Sequence, residues 1–106
     1  MRQPLPQRRR AETFDLVFRI QPVTITAGFY PDGSLGEIFI NTGRSGADLQ
    51  NIAHDAAVVI SLALQHGVPI ESIRHATTRN SDGSPASILG AVVDRISADS
   101  FSGGTR

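Results

Sequence analysis

Residues 23–41 read VTITAGFYPDGSLGEIFIN, and this stretch decides the fold. Its first half alternates apolar with small or polar side chains, which is the period of a half-buried β-strand. Residues 31–34 are a turn signal, because proline presets φ and glycine accepts the positive φ that a tight hairpin needs. Residues 35–41 then return as a strand, so the stretch predicts an antiparallel hairpin.

Another strand is predicted before the hairpin. Apolar side chains recur there at every second position, at Phe14, Leu16, Phe18 and Ile20. Pro22 separates this strand from the next one. Three successive strands joined by short turns predict an antiparallel meander.

The apolar period changes to that of a helix between Gly46 and His66. One face is formed by apolar residues at helical spacing, and Val58, Leu62 and Leu64 widen the stripe beyond that face. We therefore expect burial on more than one side, by the sheet and by another helix or another subunit. Ser45 and Asp48 have capping-box spacing at the start. Gly67 and Pro69 follow the end.

Two shorter helices are predicted after it. The first covers residues 70–76. The second has Ser84 as N-cap and Pro85 at its first position, and it ends near Ser97. The predicted fold class is α+β: a three-stranded antiparallel meander followed by helices packed on one face, in the order β-β-β-α-α-α.

Composition limits the organisation and the class of protein. A length of 106 residues predicts one domain. Because the net charge is zero, we expect no overall electrostatic attraction to nucleic acid or membranes. We divide it into a basic flexible arm (1–12), a domain (13–97) and a disordered tail (98–106). No signal sequence or membrane span is expected, because the apolar region at 53–64 is short. Without cysteine there is no disulfide or thiolate chemistry, so we expect a cytoplasmic protein.

Arginines are the candidate contacts to nucleic acid. A basic arm and a basic face could bind phosphates through six side chains: Arg8, Arg9, Arg10, Arg44, Arg74 and Arg79. No aromatic residue is interleaved with the arm, so a base-stacking platform is missing. A short basic arm is more often solvated. Nucleic-acid binding is therefore the alternative function.

Two further features are candidate recognition sites. Arg44, Ser45 and Gly46 precede the long helix, whose free N–H groups could hold an anion, although ordinary capping also explains them. Glu37 interrupts an apolar strand and shares a face with Phe39 and Asn41. It lies on the solvent face of the strand, makes an ion pair with an arginine such as Arg19, or takes part in recognition.

Catalytic and metal-binding patterns are not found. His54, His66 and His75 have neither the i, i+4 spacing nor the neighbours of a metal site. No serine has a nucleophile motif or an evident partner histidine. We expect no catalytic residue, no metal and no cofactor.

Residues 30–40, YPDGSLGEIFI, and residues 61–69, SLALQHGVP, resemble the C-terminal region of adenosylcobalamin-dependent (class II) ribonucleotide reductases, which is called the TSCPD domain. Residues 5–10, LPQRRR, are similar to the segment that leads into it. The resemblance covers about residues 5–97. The name-giving cysteine motif is missing, and the nearest stretch is GSPAS at residues 83–87.

The resemblance implies an accessory domain and not the catalytic barrel. The barrel's cysteines and cobalamin contacts lie outside such a domain, so no catalytic residue is carried over. We expect a stand-alone, non-catalytic interaction module. It would act as a homo-oligomer or bind a larger protein, such as a reductase.

Overall fold

The computed structural model describes residues 1–44 and 46–98. Three strands, β1 (Ala11–Phe18), β2 (Gln21–Phe29) and β3 (Leu35–Asn41), are followed by three helices, α1 (Ala47–Gln65), α2 (Ile70–Ala76) and α3 (Ile88–Ala98). The predicted α+β class and the predicted order of elements are confirmed. Ser45 and residues 99–106, most of the predicted tail, lie outside the described residues.

The sheet is an antiparallel meander in the order β1-β2-β3. Ala11 lies beside Gly28, and Gly28 lies beside Glu37, so these three residues form one row across the sheet. The pairing of β2 with β3 is irregular between Gly28 and Phe29. Because side chains alternate between faces, Glu37 lies on the face opposite Ile38.

The turn between β1 and β2 differs from the prediction at Ile20. We expected Ile20 to continue the apolar side of β1, but the strand ends at Phe18 and Ile20 is 94% exposed. Arg19 adopts a positive φ of 60°, which turns the chain, and its guanidinium stacks on the Phe18 ring at 4.8 Å. The strand also begins at Ala11, inside the segment that we assigned to the arm.

The helices cover one face of the sheet, as predicted. The core between them consists of apolar side chains from β2, β3, α1 and α3: Val23, Ile25, Ile38, Ile40, Ala53, Ala57, Ile60, Leu64, Val92, Val93 and Ile96. Burying side chains of this size stabilises the fold by about 1.5–3 kcal/mol for each Val, Ile or Leu. The opposite face of the sheet carries mostly polar side chains, including the hydrogen-bonded pair Thr13 and Thr26.

The start of α3 is a correction to the sequence analysis. Ser84 and Pro85 do not begin the helix, which starts at Ile88. Ser87 caps it, because its Oγ accepts a hydrogen bond from the Gly90 N–H at 3.2 Å. Pro85 instead pairs with Arg79 in an isolated β-bridge.

Ser84 belongs to a turn that repeats the one between β2 and β3. In the Asp32-Gly33-Ser34 turn, the Ser34 N–H and Oγ–H both donate to Asp32 Oδ1, at 2.9 and 2.6 Å. In the Asp82-Gly83-Ser84 turn, the Ser84 N–H and Oγ–H donate to Asp82 Oδ1 at the same two distances. Gly33 and Gly83 both have φ near +90°, which favours glycine.

The start of α1 also differs from the prediction. Gly46 is its N-cap, with φ 107°, and no side chain among the described residues caps the helix. Asp48 lies in the first turn, where a carboxylate interacts favourably with the helix dipole. Ser45, the other half of the predicted capping box, lies outside the described residues.

Candidate interaction surface

The edge of the sheet at β3 is covered by polar side chains of α1. Ser61 Oγ accepts a hydrogen bond from the Ile38 N–H at 2.9 Å and donates one to the Ile38 carbonyl oxygen at 3.1 Å. Gln65 Nε2 donates to the Gly36 carbonyl oxygen at 3.1 Å. These side chains take the positions that the backbone of a further strand would otherwise occupy.

The backbone N–H and carbonyl groups of Ile40 are not covered by these side chains. Because Ser61 binds both backbone groups of Ile38, alternation turns the backbone groups of Ile40 to the same outer edge. Gln50 Oε1 binds the Thr42 N–H at 3.1 Å on the far side, whereas no side chain of residues 1–44 or 46–98 bonds to Ile40. Ala57, a buried residue of α1 that lines the same pocket as Ile40, has no polar side-chain atom to bond to it.

A pocket of about 220 Å³ opens at this gap between β3 and α1. Its polar rim includes Arg2, Glu37 and His54. Its lining also contains three large apolar side chains that remain about half exposed, Phe39, Val58 and Leu62. We call Phe39, Val58, Leu62 and the Ile40 backbone the edge pocket. It combines apolar surface with an unused peptide donor and acceptor.

Glu37 forms an ion pair beside the edge pocket. Its Oε2 accepts a hydrogen bond from Arg9 Nε at 2.5 Å, and its side chain is only 11% exposed. Gly28 lies next to Glu37 on β2 and leaves room for the carboxylate. The ion pair that we predicted for Glu37 is therefore formed with Arg9 and not with Arg19. A recognition role for Glu37 stays a prediction.

The N-terminal segment is attached to the end of α1 through Gln65. Arg2 Nε donates to Gln65 Oε1 at 2.6 Å, and the Gln3 N–H donates to the Gln65 carbonyl oxygen at 2.7 Å. The Tyr30 hydroxyl donates to the Gln3 carbonyl oxygen. Leu5 packs on Gly36. Residues 2–10 thus run along the domain and end in contact with the rim of the edge pocket.

The three arm arginines have different environments. Arg9 pairs with Glu37 and also donates to the Pro6 carbonyl oxygen at 2.8 Å. Arg10 stacks on the Phe29 ring at 4.2 Å and lies 3.5 Å from Glu12. Arg8 is exposed and has no partner within residues 1–44 and 46–98. Among Arg8, Arg9 and Arg10, only Arg8 therefore presents an uncommitted charge.

Arg74 and Arg79 both contact the carboxylate of Asp94 instead of pointing into solvent. Arg79 donates to both oxygens of Asp94 at 2.6 Å, and Arg74 Nε lies 3.3 Å from Asp94 Oδ1. The hydrogen bonds from Arg79 lower the pKa of Asp94. This cluster joins α2 and the following loop to α3. Phosphate binding by Arg74 and Arg79 stays a prediction, and it would have to compete with Asp94.

The segment before α1 does not present a ready anion cradle. The Gly43 N–H is already bound by Asn41 Oδ1 at 2.7 Å. Arg44 is exposed, Gly46 caps the helix, and Ser45 lies outside the described residues. An anion site at Arg44, Ser45 and Gly46 stays a prediction.

The histidines lie apart from one another on the surface. His54 faces the edge pocket, and His75 Nε2 lies 4.0 Å from Glu71 Oε1. Within residues 1–44 and 46–98, no group of three or more His, Cys, Asp or Glu side chains could hold a metal ion. No helix in this part of the chain has the length and apolar character needed to cross a membrane.

These observations define a small α+β domain whose most distinctive surface is a half-apolar pocket at a sheet edge. The family model of the TSCPD domain matches residues 2–98. The chain belongs to the TSCPD domain family.

Similar proteins with curated descriptions are vitamin B12-dependent ribonucleotide reductases. The chain is 39% identical over 77 residues to the one from Bradyrhizobium diazoefficiens and 38% identical over 77 residues to the one from Agrobacterium fabrum. These alignments cover 73% of this chain and 6% of each relative. The reductase of Rhodopirellula baltica is 33% identical over 68% of this chain and 7% of its own length. The chain thus matches a small part of these reductases. No solved structure matches it significantly.

Proposed function

We propose that residues 2–98 form a non-catalytic docking domain that binds a larger protein through the edge pocket. The observation that supports this most is the combination of half-exposed Phe39, Val58 and Leu62 with the unused backbone groups of Ile40. An apolar side chain of a partner would fill the pocket. A neighbouring peptide group would bond to Ile40 as a strand does.

The first partner to test is a vitamin B12-dependent ribonucleotide reductase. The relatives that carry this domain bear that name, and the matched region is 6% to 12% of their length. A part of this size is suited to docking on a large catalytic body. The proposal includes a cytoplasmic location, in line with a sequence that has no cysteine for a disulfide.

The rim of the pocket supports recognition of a charged partner. Arg2 and Glu37 lie on it with opposite charges, and both are held in place, Arg2 by Gln65 and Glu37 by Arg9. Preorganised side chains lose less conformational entropy on binding. An apolar centre with a polar rim is the usual anatomy of a protein interface.

The test is binding of the purified domain to the reductase of the source organism, measured by calorimetry. We expect the double variant Val58→Asp/Leu62→Asp to lose at least tenfold in affinity, because it places two charges in the apolar wall. The matched control is Ile20→Asp, which adds a charge at an exposed apolar residue in the β1–β2 turn.

Two results would contradict the proposal. One is that the unaltered domain does not bind the reductase, with or without nucleotide substrate present. The other is that Val58→Asp/Leu62→Asp binds as tightly as the control while circular dichroism shows both to be folded.

A further inference from the structure

A second apolar ridge lies on α1, beside the edge pocket. Its residues, Ile52, Ala56, Val59 and Ala63, recur at i, i+4, i+7 and i+11, the spacing of a single helix face. Ile52 is 67% exposed and Val59 is 64% exposed. We expected α1 to be buried on more than one side. In the chain alone its buried face is the one that carries Ala53, Ala57, Ile60 and Leu64.

Large and small side chains alternate along this ridge. If a second α1 helix lies antiparallel to the first, with the two-fold axis between residues 57 and 58, large residues meet small ones. Ile52 then faces Ala63 of the second copy, and Val59 faces Ala56 of the second copy. Side chains from one helix fill the spaces on the other in this way when two helices pack closely.

The polar side chains beside the ridge favour the same arrangement, because a carboxylate accepts a hydrogen bond from an imidazole N–H. Asp48 and His66 are about five helical turns apart, so they lie on the same side of α1. Both are exposed. An antiparallel pair about a two-fold axis places Asp48 of each copy beside His66 of the other, at both ends. A parallel pair would place Asp48 beside Asp48 of the other copy, and like charges repel.

We propose that two copies of this chain associate through the α1 ridge in an antiparallel, two-fold symmetric pair. The inference does not depend on the proposed function, because the ridge and the edge pocket are formed by different residues of α1. Around the helix axis Val58 projects about 120° and Leu62 about 80° from Ile52, so the pocket wall adjoins the ridge at Leu62.

The first test is the mass of the protein in solution over a range of concentrations, by sedimentation equilibrium. We expect a dimer, and we expect Ile52→Asp/Val59→Asp to raise its dissociation constant at least a hundredfold. Ile20→Asp is the control and should leave it unchanged. A chain that stays monomeric at millimolar concentration would overturn the proposal, and so would a dimer that the ridge variant does not weaken.

Cysteine cross-linking tests the direction of the two helices, because the sequence itself contains no cysteine. We expect an oxidised mixture of Ile52→Cys and Ala63→Cys chains to form mixed disulfides at least tenfold faster than either variant alone. Equal rates, or faster cross-linking of the single variants, would rule out the antiparallel arrangement.

A charge exchange tests the contact at the ends of the pair. Asp48→Lys should weaken the dimer, because it removes the carboxylate that accepts a hydrogen bond from His66 of the other copy. Asp48→Lys combined with His66→Glu should restore the affinity, because an ammonium and a carboxylate then face one another. Failure of the second change to rescue the first would overturn the assigned register.

Discussion

The side chain of Glu37 fills the space above Gly28 on the neighbouring strand. A Cβ atom at residue 28 would lie 2.7 Å from Glu37 Cγ and 2.9 Å from Glu37 Cδ. These distances are shorter than real Cβ contacts allow, so Gly28 is needed for Glu37 to reach Arg9. The row formed by Ala11, Gly28 and Glu37 thus links the N-terminal segment to the far strand of the sheet.

Replacing Gly28 should destabilise the domain through this overlap. We expect Gly28→Ala to lower the free energy of unfolding by about 1–3 kcal/mol, the usual cost of overpacking. Urea denaturation measures it. Gly28→Ala/Glu37→Ala removes the overlapping atoms. We therefore expect Gly28→Ala to lower the free energy of unfolding much less in the Glu37→Ala background than in the unaltered protein. Equal costs in both backgrounds would show that the overlap is not the cause.

Breaking the ion pair should release the N-terminal segment. Glu37→Gln keeps the size of the side chain but removes the charge that binds Arg9, and we expect a loss of about 1–3 kcal/mol of stability. Trypsin should also cleave near Arg8 and Arg9 faster. Glu12→Gln is the control, because its pair with Arg10 is exposed and should contribute less than about 1 kcal/mol. A trypsin pattern that is identical for the two variants would contradict this prediction.

Removing the Ser61 hydroxyl should expose the backbone of Ile38. The hydroxyl serves the Ile38 N–H and carbonyl oxygen together, so Ser61→Ala leaves two peptide groups without their partner. We expect the free energy of unfolding to fall by about 1–3 kcal/mol in chemical denaturation. Ser72→Ala, at an exposed position of α2, should change stability by less than about 0.5 kcal/mol. Similar values for the two serines would refute the role given to Ser61.

The Arg79–Asp94 pair should make stability depend on acid pH. Hydrogen bonds from Arg79 hold the pKa of Asp94 below its ordinary value of 3.8. The native state then binds a proton less readily than the unfolded state, so the stabilisation is fully present above pH 3.8 and is lost as the pH falls through the lowered pKa. Asp94→Asn should melt at a lower temperature at pH 6, and the difference in melting temperature should shrink below pH 4. A difference that stays constant from pH 6 to pH 2 would exclude this linkage.

Nucleic-acid binding, the alternative function, makes its own prediction. Arg8 and Arg44 are exposed, so they are the arginines to change without breaking the pairs of Arg9, Arg74 and Arg79. If they contact phosphates, Arg8→Gln/Arg44→Gln should reduce the slope of log K against log salt by about 1.5–2. Fluorescence titrations with DNA and RNA at low salt measure it. Titrations that show no binding by the unaltered protein would end this alternative.

The regular elements were predictable because their signals are local. Alternation gave β1, β2 and β3, and the change to helical spacing gave α1. The predicted start of α3 was wrong because Ser84 and Pro85 satisfy the general rule for a helix start. The competing signal was also in the sequence: Asp82-Gly83-Ser84 repeats Asp32-Gly33-Ser34, and the two stretches form the same turn.

The contacts of the candidate surface were less predictable because they join distant residues. The partner of Glu37 was expected among the arginines, but nothing local distinguishes Arg9 from Arg19. A signal did exist for the coverage of β3. Gln50, Ser61 and Gln65 interrupt an apolar helix at positions that share one side, and such polar positions favour contact with backbone groups. The gap at Ile40 depends on the register between α1 and β3, which pattern alone does not give.

The coverage of β3 by Ser61 also bears on aggregation. Residues 38–40, Ile-Phe-Ile, are apolar and of high β-propensity, the composition of segments that stack into cross-β fibrils. Fibril growth requires several consecutive peptide groups to be free along one edge. Ser61, Gln65 and Gln50 bond to peptide groups of Ile38, Gly36 and Thr42, so the free groups of Ile40 lie between occupied ones. The helix that shapes the edge pocket therefore also interrupts the row of free peptide groups that fibril growth would need.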